Sequence, residues 1–112
     1  MHELAIARNI VELVAEAAAG RKVHRVSLEI GELSGVMPDA VAFCFPEVAR
    51  GTGVEGACLE IREIAARARC AMCGGEFATP DLLTACPCGS VRCERLSGEE
   101  LMIRSIEIDE AV

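Results

Sequence analysis

Five of the seven cysteines in this 112-residue chain lie between Cys70 and Cys93, in two clusters whose spacing is that of metal ligands. Cys70-Ala71-Met72-Cys73-Gly74 is a C-x-x-C-G knuckle. Two intervening residues bring both thiolates to one side of a tight turn, and Gly74 permits the positive φ that lets backbone N–H groups face sulfur. Cys86-Pro87-Cys88-Gly89 follows, then Cys93. Four thiolates from two turns suit tetrahedral Zn²⁺, which has no redox chemistry and closes its coordination shell in structural sites. The second cluster is irregular, because C-x-C is one residue short of the usual spacing. Two ligand sets therefore stay open: Cys70, Cys73, Cys86 and Cys88, favoured by the nearness of both later thiols to the Pro-Cys-Gly turn, or Cys70, Cys73, Cys88 and Cys93. A solvent molecule as one ligand is a third arrangement. Cys44, on the apolar side of a helical stretch, and Cys58, just before a strand, are expected to be small buried hydrophobes.

A second donor set lies at the N-terminus, which reads Met1-His2-Glu3-Leu4. The Met1 amine, the backbone amide of residue 2 and the His2 imidazole together close two fused chelate rings and offer three nitrogens in a plane. Glu3 supplies its amide or carboxylate as a fourth donor. Planar nitrogen sets favour Ni²⁺ or Cu²⁺ over Zn²⁺. On these residues alone, a histidine at position 2 reads more plainly as an incidental residue of a frayed end. His24, the other histidine, is expected to be an exposed strand residue.

These groups need elements to hold them. From Leu4 to Ala19 the apolar residues recur at helical spacing, Leu4, Ala7, Val11, Val14 and Ala18 on one stripe with Ile6, Ile10, Leu13 and Ala17 beside it, and Gly20 stops the helix. Val23 to Leu33 alternates as a half-buried strand, with Val26, Leu28 and Ile30 on one side. A turn at Gly31-Glu32-Leu33-Ser34-Gly35 leads to a second helical stretch from Pro38 through Val41, Phe45 and Val48. Pro46 inside it predicts a kink or two short helical pieces. Leu59 and Ile61 mark a second strand, and Leu101 to Ile108 a third, whose apolar phase changes near Arg104-Ser105 as at a bulge. The segment between these last two strands has few apolar residues and cannot build a core of its own, so a bound metal is expected to fold it. The pattern predicts an α+β fold: two helices on a small three-stranded sheet, residues 1-67 and 98-112, with an inserted zinc-ribbon-like cysteine module at 68-97.

Composition narrows the function. Hydrophobic residues make up 52% and charged residues 26%, a globular balance. Three Phe and no Tyr or Trp leave few platforms on which to stack bases, and a formal charge of -7 repels phosphate backbones, so neither nucleic acid nor membrane is an expected partner. The acidic start and the charges at Arg8, Glu12 and Glu16 predict a cytoplasmic protein, where clustered cysteines bind metal before they form disulfides. No constellation of catalytic residues or glycine-rich phosphate loop is present, so the chain is not expected to be an enzyme.

The start Met1-His2-Glu3-Leu4, the turn Ile30-Gly31-Glu32-Leu33-Ser34, Phe43-Cys44-Phe45 with Arg50-Gly51-Thr52, the Cys70-x-x-Cys73 knuckle, Cys86-Pro87-Cys88-Gly89-Ser90, and Gly98-Glu99-Glu100-Leu101 through Ile106-Glu107-Ile108 follow one another over the whole chain. Together they resemble the hydrogenase nickel-incorporation protein family HypA/HybF. The resemblance implies a nickel metallochaperone with a Ni²⁺ site at Met1, His2 and Glu3 and a structural Zn²⁺ on Cys70, Cys73, Cys86 and Cys88. It also implies delivery of nickel, with a nickel-binding GTPase, to the large-subunit precursor of a [NiFe]-hydrogenase. Urease maturation proteins and a second copy of the chain are further candidate partners. The family pattern has one more residue between Pro87 and Cys88, so Cys93 stays as the alternative to Cys86. A zinc-ribbon adaptor for protein–protein interaction is the competing reading.

Overall fold

The computed structural model describes residues 2–110. Its elements are α1 (His2–Ala18), β1 (Val23–Gly31), α2 (Pro38–Ala49), β2 (Cys58–Ile64), β3 (Arg67–Cys70), β4 (Glu76–Ala78), β5 (Cys93–Ser97) and β6 (Leu101–Ile108). The strands form two three-stranded sheets, β2-β1-β6 and β4-β3-β5. The chain divides into two compact units, the second made of Glu29–Val36 with Glu63–Leu101 and the first of the remainder.

In the first unit α1 packs on α2. The buried stripe of α1 is Ala7, Ile10, Val11, Val14 and Ala18, while Leu13, expected beside it, faces solvent. The helix stops one residue earlier than Gly20 would require: Ala19 already has φ 52°, and Arg21 N–H closes the end on the Ala18 carbonyl at 3.1 Å. α2 runs as one helix through Pro46 instead of breaking into two pieces. Proline forgoes a single N–H bond there. Val41, Phe45 and Ala49, at successive helical repeats, are all buried, and that packing holds the helix together across the gap.

β1 is the central strand of its sheet and buries Val23, Val26, Leu28 and Ile30. Asp109 N–H bonds the Lys22 carbonyl at 3.0 Å and Gly31 N–H the Glu100 carbonyl at 2.7 Å, so β6 runs antiparallel to β1. Val23 N–H reaches the Gly53 carbonyl at 2.9 Å and Glu32 N–H the Ile64 carbonyl at 2.8 Å, so β2 runs parallel to it, with α2 as the crossover. Along β6 the half-buried positions pass from Ile103 to Ile106 and Ile108, the phase change read from its sequence.

The second unit is a small antiparallel sheet. Ala68 pairs with Phe77 in β4, and Cys70 with Cys93 in β5, with an irregularity between Arg67 and Ala68. Sequence patterning showed none of these three strands, because β4 has only three residues and β3 four, too few to display alternation. The buried cluster here is Ala68, Cys70, Phe77 and Cys86, with Cys93 against it. Two glycines let the backbone close this unit. A Cβ on Gly31 would stand 2.1 Å from the Gly98 carbonyl oxygen, and one on Gly98, whose φ is +112°, would stand 2.5 Å from the Ala66 Cβ. Leu33 N–H bonds that same Gly98 carbonyl at 2.6 Å.

Candidate metal centres

The Sγ atoms of Cys70, Cys73, Cys86 and Cys88 all lie within 4.8 Å of one another. Cys70 is 3.7 Å from Cys88, and Cys73 is 3.6 Å from Cys86, so each thiol faces one from the other knuckle. Four sulfurs bound at ~2.3 Å to a tetrahedral Zn²⁺ stand about 3.8 Å apart. Donor type, number and spacing thus fit zinc. Cys93 is not in this group: its Sγ approaches the Ser90 carbonyl at 3.9 Å from β5.

The short spacing of the second knuckle is matched by a tighter turn. At the first, Cys70 N–H bonds the Gly75 carbonyl at 2.9 Å and Gly74 N–H bonds the Cys70 carbonyl at 3.0 Å. At the second, Cys86 N–H bonds the Ser90 carbonyl at 3.0 Å and Gly89 N–H bonds the Cys86 carbonyl at 2.8 Å. Both loops are one residue shorter. Pro87 sits where a β-turn favours proline, and Gly89, at φ 95°, plays the part of Gly74, at φ 75°. Backbone donors reach sulfur in each knuckle: Met72 and Cys73 N–H to Cys70 at 3.3 and 3.4 Å, Gly75 N–H to Cys73 at 3.4 Å, and Cys88 N–H to Cys86 at 3.5 Å.

These donors divide the protons of the metal-free cluster. The Cys73 N–H, assisted by that of Met72 and by contacts with the Cys88 and Cys73 thiols, outweighs burial and brings Cys70 down to about 6. At Cys86 the Cys88 N–H pulls downward too, but burial and the sulfurs of Cys88, Cys73 and Cys70 overcome it and push the thiol up to about 12. Burial, with the charge of Cys70, also raises Cys93. The two thiols are thus pushed in opposite directions, and a bound divalent cation, which favours the thiolate at every ligand, would level that difference.

Of the N-terminal donors, Met1 lies outside the described residues. His2 opens α1 with its side chain 62% exposed, its Nε2 3.2 Å from Glu3 Oε2. Glu3 is largely covered, and its carboxylate accepts the Met37 N–H at 3.4 Å, at the start of α2, which has no side-chain cap of its own. The carboxyl is held below its usual range chiefly by its own backbone N–H, which outweighs burial, with smaller help from the Met37 N–H and the His2 charge. Local periodicity carries no sign of this Glu3–Met37 link between two helices.

Of the remaining candidates, His24 is exposed on β1 and meets Asp109, as an exposed strand residue would. Cys44 is half-buried, and Cys58, expected in the core, is exposed, because the covered face of β2 carries Leu59 and Ile61. No described helix is long and apolar enough to cross a membrane.

A small α+β scaffold with two cysteine knuckles whose four thiols could hold one metal ion is the architecture of a metal-binding protein. Residues 1–108 match the family model described as "Hydrogenase/urease nickel incorporation, metallochaperone, hypA". The chain belongs to that family, a family of maturation factors. It is 54% identical over 110 residues to hydrogenase maturation factor HypA of Nostoc sp., covering 98% of this chain and 97% of that one. It is 44% identical over 110 residues to the protein of the same name from Geobacter metallireducens, covering 97% and 100%. The solution structure of the Ni metallochaperone HypA from Helicobacter pylori shares the fold, with a TM-score of 0.66 at 24% identity over 95% of this chain and 96% of that one.

Proposed function

We propose that this chain binds Ni²⁺ at Met1, His2 and Glu3 and delivers it, with a nickel-binding GTPase, to the large-subunit precursor of a [NiFe]-hydrogenase, while Cys70, Cys73, Cys86 and Cys88 hold a structural Zn²⁺. The observation that carries this reading is family membership over residues 1–108, which take in the Met-His-Glu start. The chain acts as a carrier in the cytoplasm, without catalytic chemistry, and nucleotide hydrolysis belongs to its partner. Urease maturation proteins are candidate further clients, and a second copy of the chain a candidate partner.

The geometry at His2 supports the reading. The first N–H groups of a helix have no intrahelical acceptor, so the His2 amide is not committed to the α1 ladder. Only Nδ1 of an imidazole closes a six-membered ring with its own backbone nitrogen. The Glu3 carboxylate beside Nε2 favours the proton on that nitrogen and leaves the Nδ1 lone pair for metal. An exposed imidazole on the first turn of a helix swings away readily, which cargo release requires. Calorimetric titration of the zinc-loaded chain with Ni²⁺ tests this. His2→Ala is expected to weaken binding by at least about tenfold, the lower end of what even an outer-shell loss costs a metal site. Unchanged affinity and stoichiometry in that variant would overturn the N-terminal site.

A further inference from the structure

One side of β1 is buried at Val26, Leu28 and Ile30, and its other side, at Arg25 and Ser27, carries two successive groupings of opposite charge. In the first row Arg25 of β1 lies between Glu60 of β2, which it contacts through Nη1, and Glu107 of β6, 3.4 Å from its Nε. One cation there faces two carboxylates. Two residues further along β1 the row inverts. Ser27 replaces arginine at the centre; Arg62 follows Glu60 by two residues on the parallel strand. Arg104 of β6 lines the same cleft as Ser27 and Arg62. Two guanidinium groups thus flank a small hydroxyl side chain. The result is a cleft of about 450 Å³ lined by Ser27, Leu28, Glu60, Ile61, Arg62 and Arg104, within the ~300–1,000 Å³ of ordinary ligand sites.

The groups in this cleft are unequally engaged. Glu60 is paired with Arg25, and Arg62 has a polar contact of its own. The Arg104 guanidinium and the Ser27 hydroxyl find no hydrogen-bond or ion-pair partner among the described residues, in a chain with 18 acidic side chains against 11 basic ones. An arginine left unpaired amid such an excess of acid, at the edge of a cleft, is arranged for an anion from outside.

We propose that this face is a docking surface for an acidic peptide segment of a partner protein, with one glutamate or aspartate carboxylate seated over Ser27 between Arg104 and Arg62. Three observations select that ligand. The planar fork of arginine matches a carboxylate in a bidentate pair. Glu60 lines the same cleft, and its charge opposes a phosphate dianion more than a single carboxylate. The net charge of -7 repels polyanions at long range, whereas a contact made by one carboxylate lies inside the screening length of ~8 Å at physiological salt. This proposal does not depend on the nickel site.

The experiment is a titration of the ¹⁵N-labelled, zinc-loaded full chain with an end-blocked tetrapeptide, Gly-Ile-Glu-Gly, followed by amide shifts. Saturable shifts at Ser27, Ile61 and Arg104 are expected, and the glutamine version of the peptide should bind about tenfold more weakly, as expected for loss of a charge-assisted hydrogen bond. Arg104→Gln should weaken binding by a similar factor. Ser27→Val, which keeps both guanidinium groups and fills the floor, should abolish the shifts while the rest of the spectrum stays native. Equal binding of the two peptides, wild-type affinity in Arg104→Gln, or shifts scattered away from these residues would overturn the proposal. Saturable binding of inorganic phosphate at the same residues without peptide binding would overturn it in favour of a phosphate site.

Discussion

The two units of this chain build their interiors from different chemistry. In the first, α1, β1 and α2 bury Ala7, Val11, Val14, Val26, Leu28, Val41, Phe45 and Ala49, and the backbone is satisfied by two long helices and the longest strands. In the second, strands of three to five residues enclose Ala68, Phe77 and the cysteines Cys70, Cys86 and Cys93. Burial of aliphatic groups is additive and non-directional, so the first unit has many small contributions. The second has few, and two of the four residues in its buried cluster are cysteines whose thiols belong to the four-sulfur group. With its exposed apolar residues, Met72, Leu82, Leu83 and Val91, contributing little, this unit is expected to need a bound metal for its order.

The sharpest way to break the comparison is to remove the metal. Chelation of zinc, or Cys73→Ala, is expected to abolish amide-exchange protection at Ala68, Phe77 and Cys86 while Val14, Leu28 and Phe45 stay protected, since apparent zinc binding is worth roughly 10–16 kcal/mol to small sites. Simultaneous loss of both sets would show one cooperative unit. The converse experiment is Phe45→Ala, buried at 2% exposure in α2. It is expected to cost about 3–5 kcal/mol in denaturant unfolding, with zinc content by metal analysis unchanged. The smallest effect is expected at Cys93, which packs beside the sulfur cluster without joining it. Cys93→Ser should keep one zinc per chain and shift stability by about 1 kcal/mol, whereas Cys86→Ser should lose the metal. Zinc loss in Cys93→Ser would place that thiol among the ligands.

Much of the first unit was legible in advance because its elements are long enough to show a period. α1 spans 17 residues and β6 covers the range read from alternation. The knuckles were legible for another reason: the geometry of two thiols on one turn is encoded in a few adjacent residues. Pro46 misled because local stereochemistry argues for a break, while the burial of Val41, Phe45 and Ala49 on either side keeps one helix. Cys58 misled because apolarity marks a residue as able to be buried, and the strand's register turned it outward.

By itself the sequence determined the donor chemistry, the helical and strand periods and the two turns that present thiols, all of which are local properties of contiguous residues. Tertiary structure decided what depends on partners far along the chain. The tighter turn closed by Ser90 brings Cys86 and Cys88 to Cys70 and Cys73. Glu3 accepts the N–H of Met37, the N-cap residue of α2, 34 residues later. Gly31 admits the Gly98 carbonyl, and Gly98 admits Ala66, because neither glycine has a Cβ. Arg62 and Arg104, from the strands on either side of β1, reach one cleft at Ser27 only through strand pairing. Strand order and register are set by the competition of all possible pairings to bury the same apolar residues, and no window of adjacent residues contains that competition.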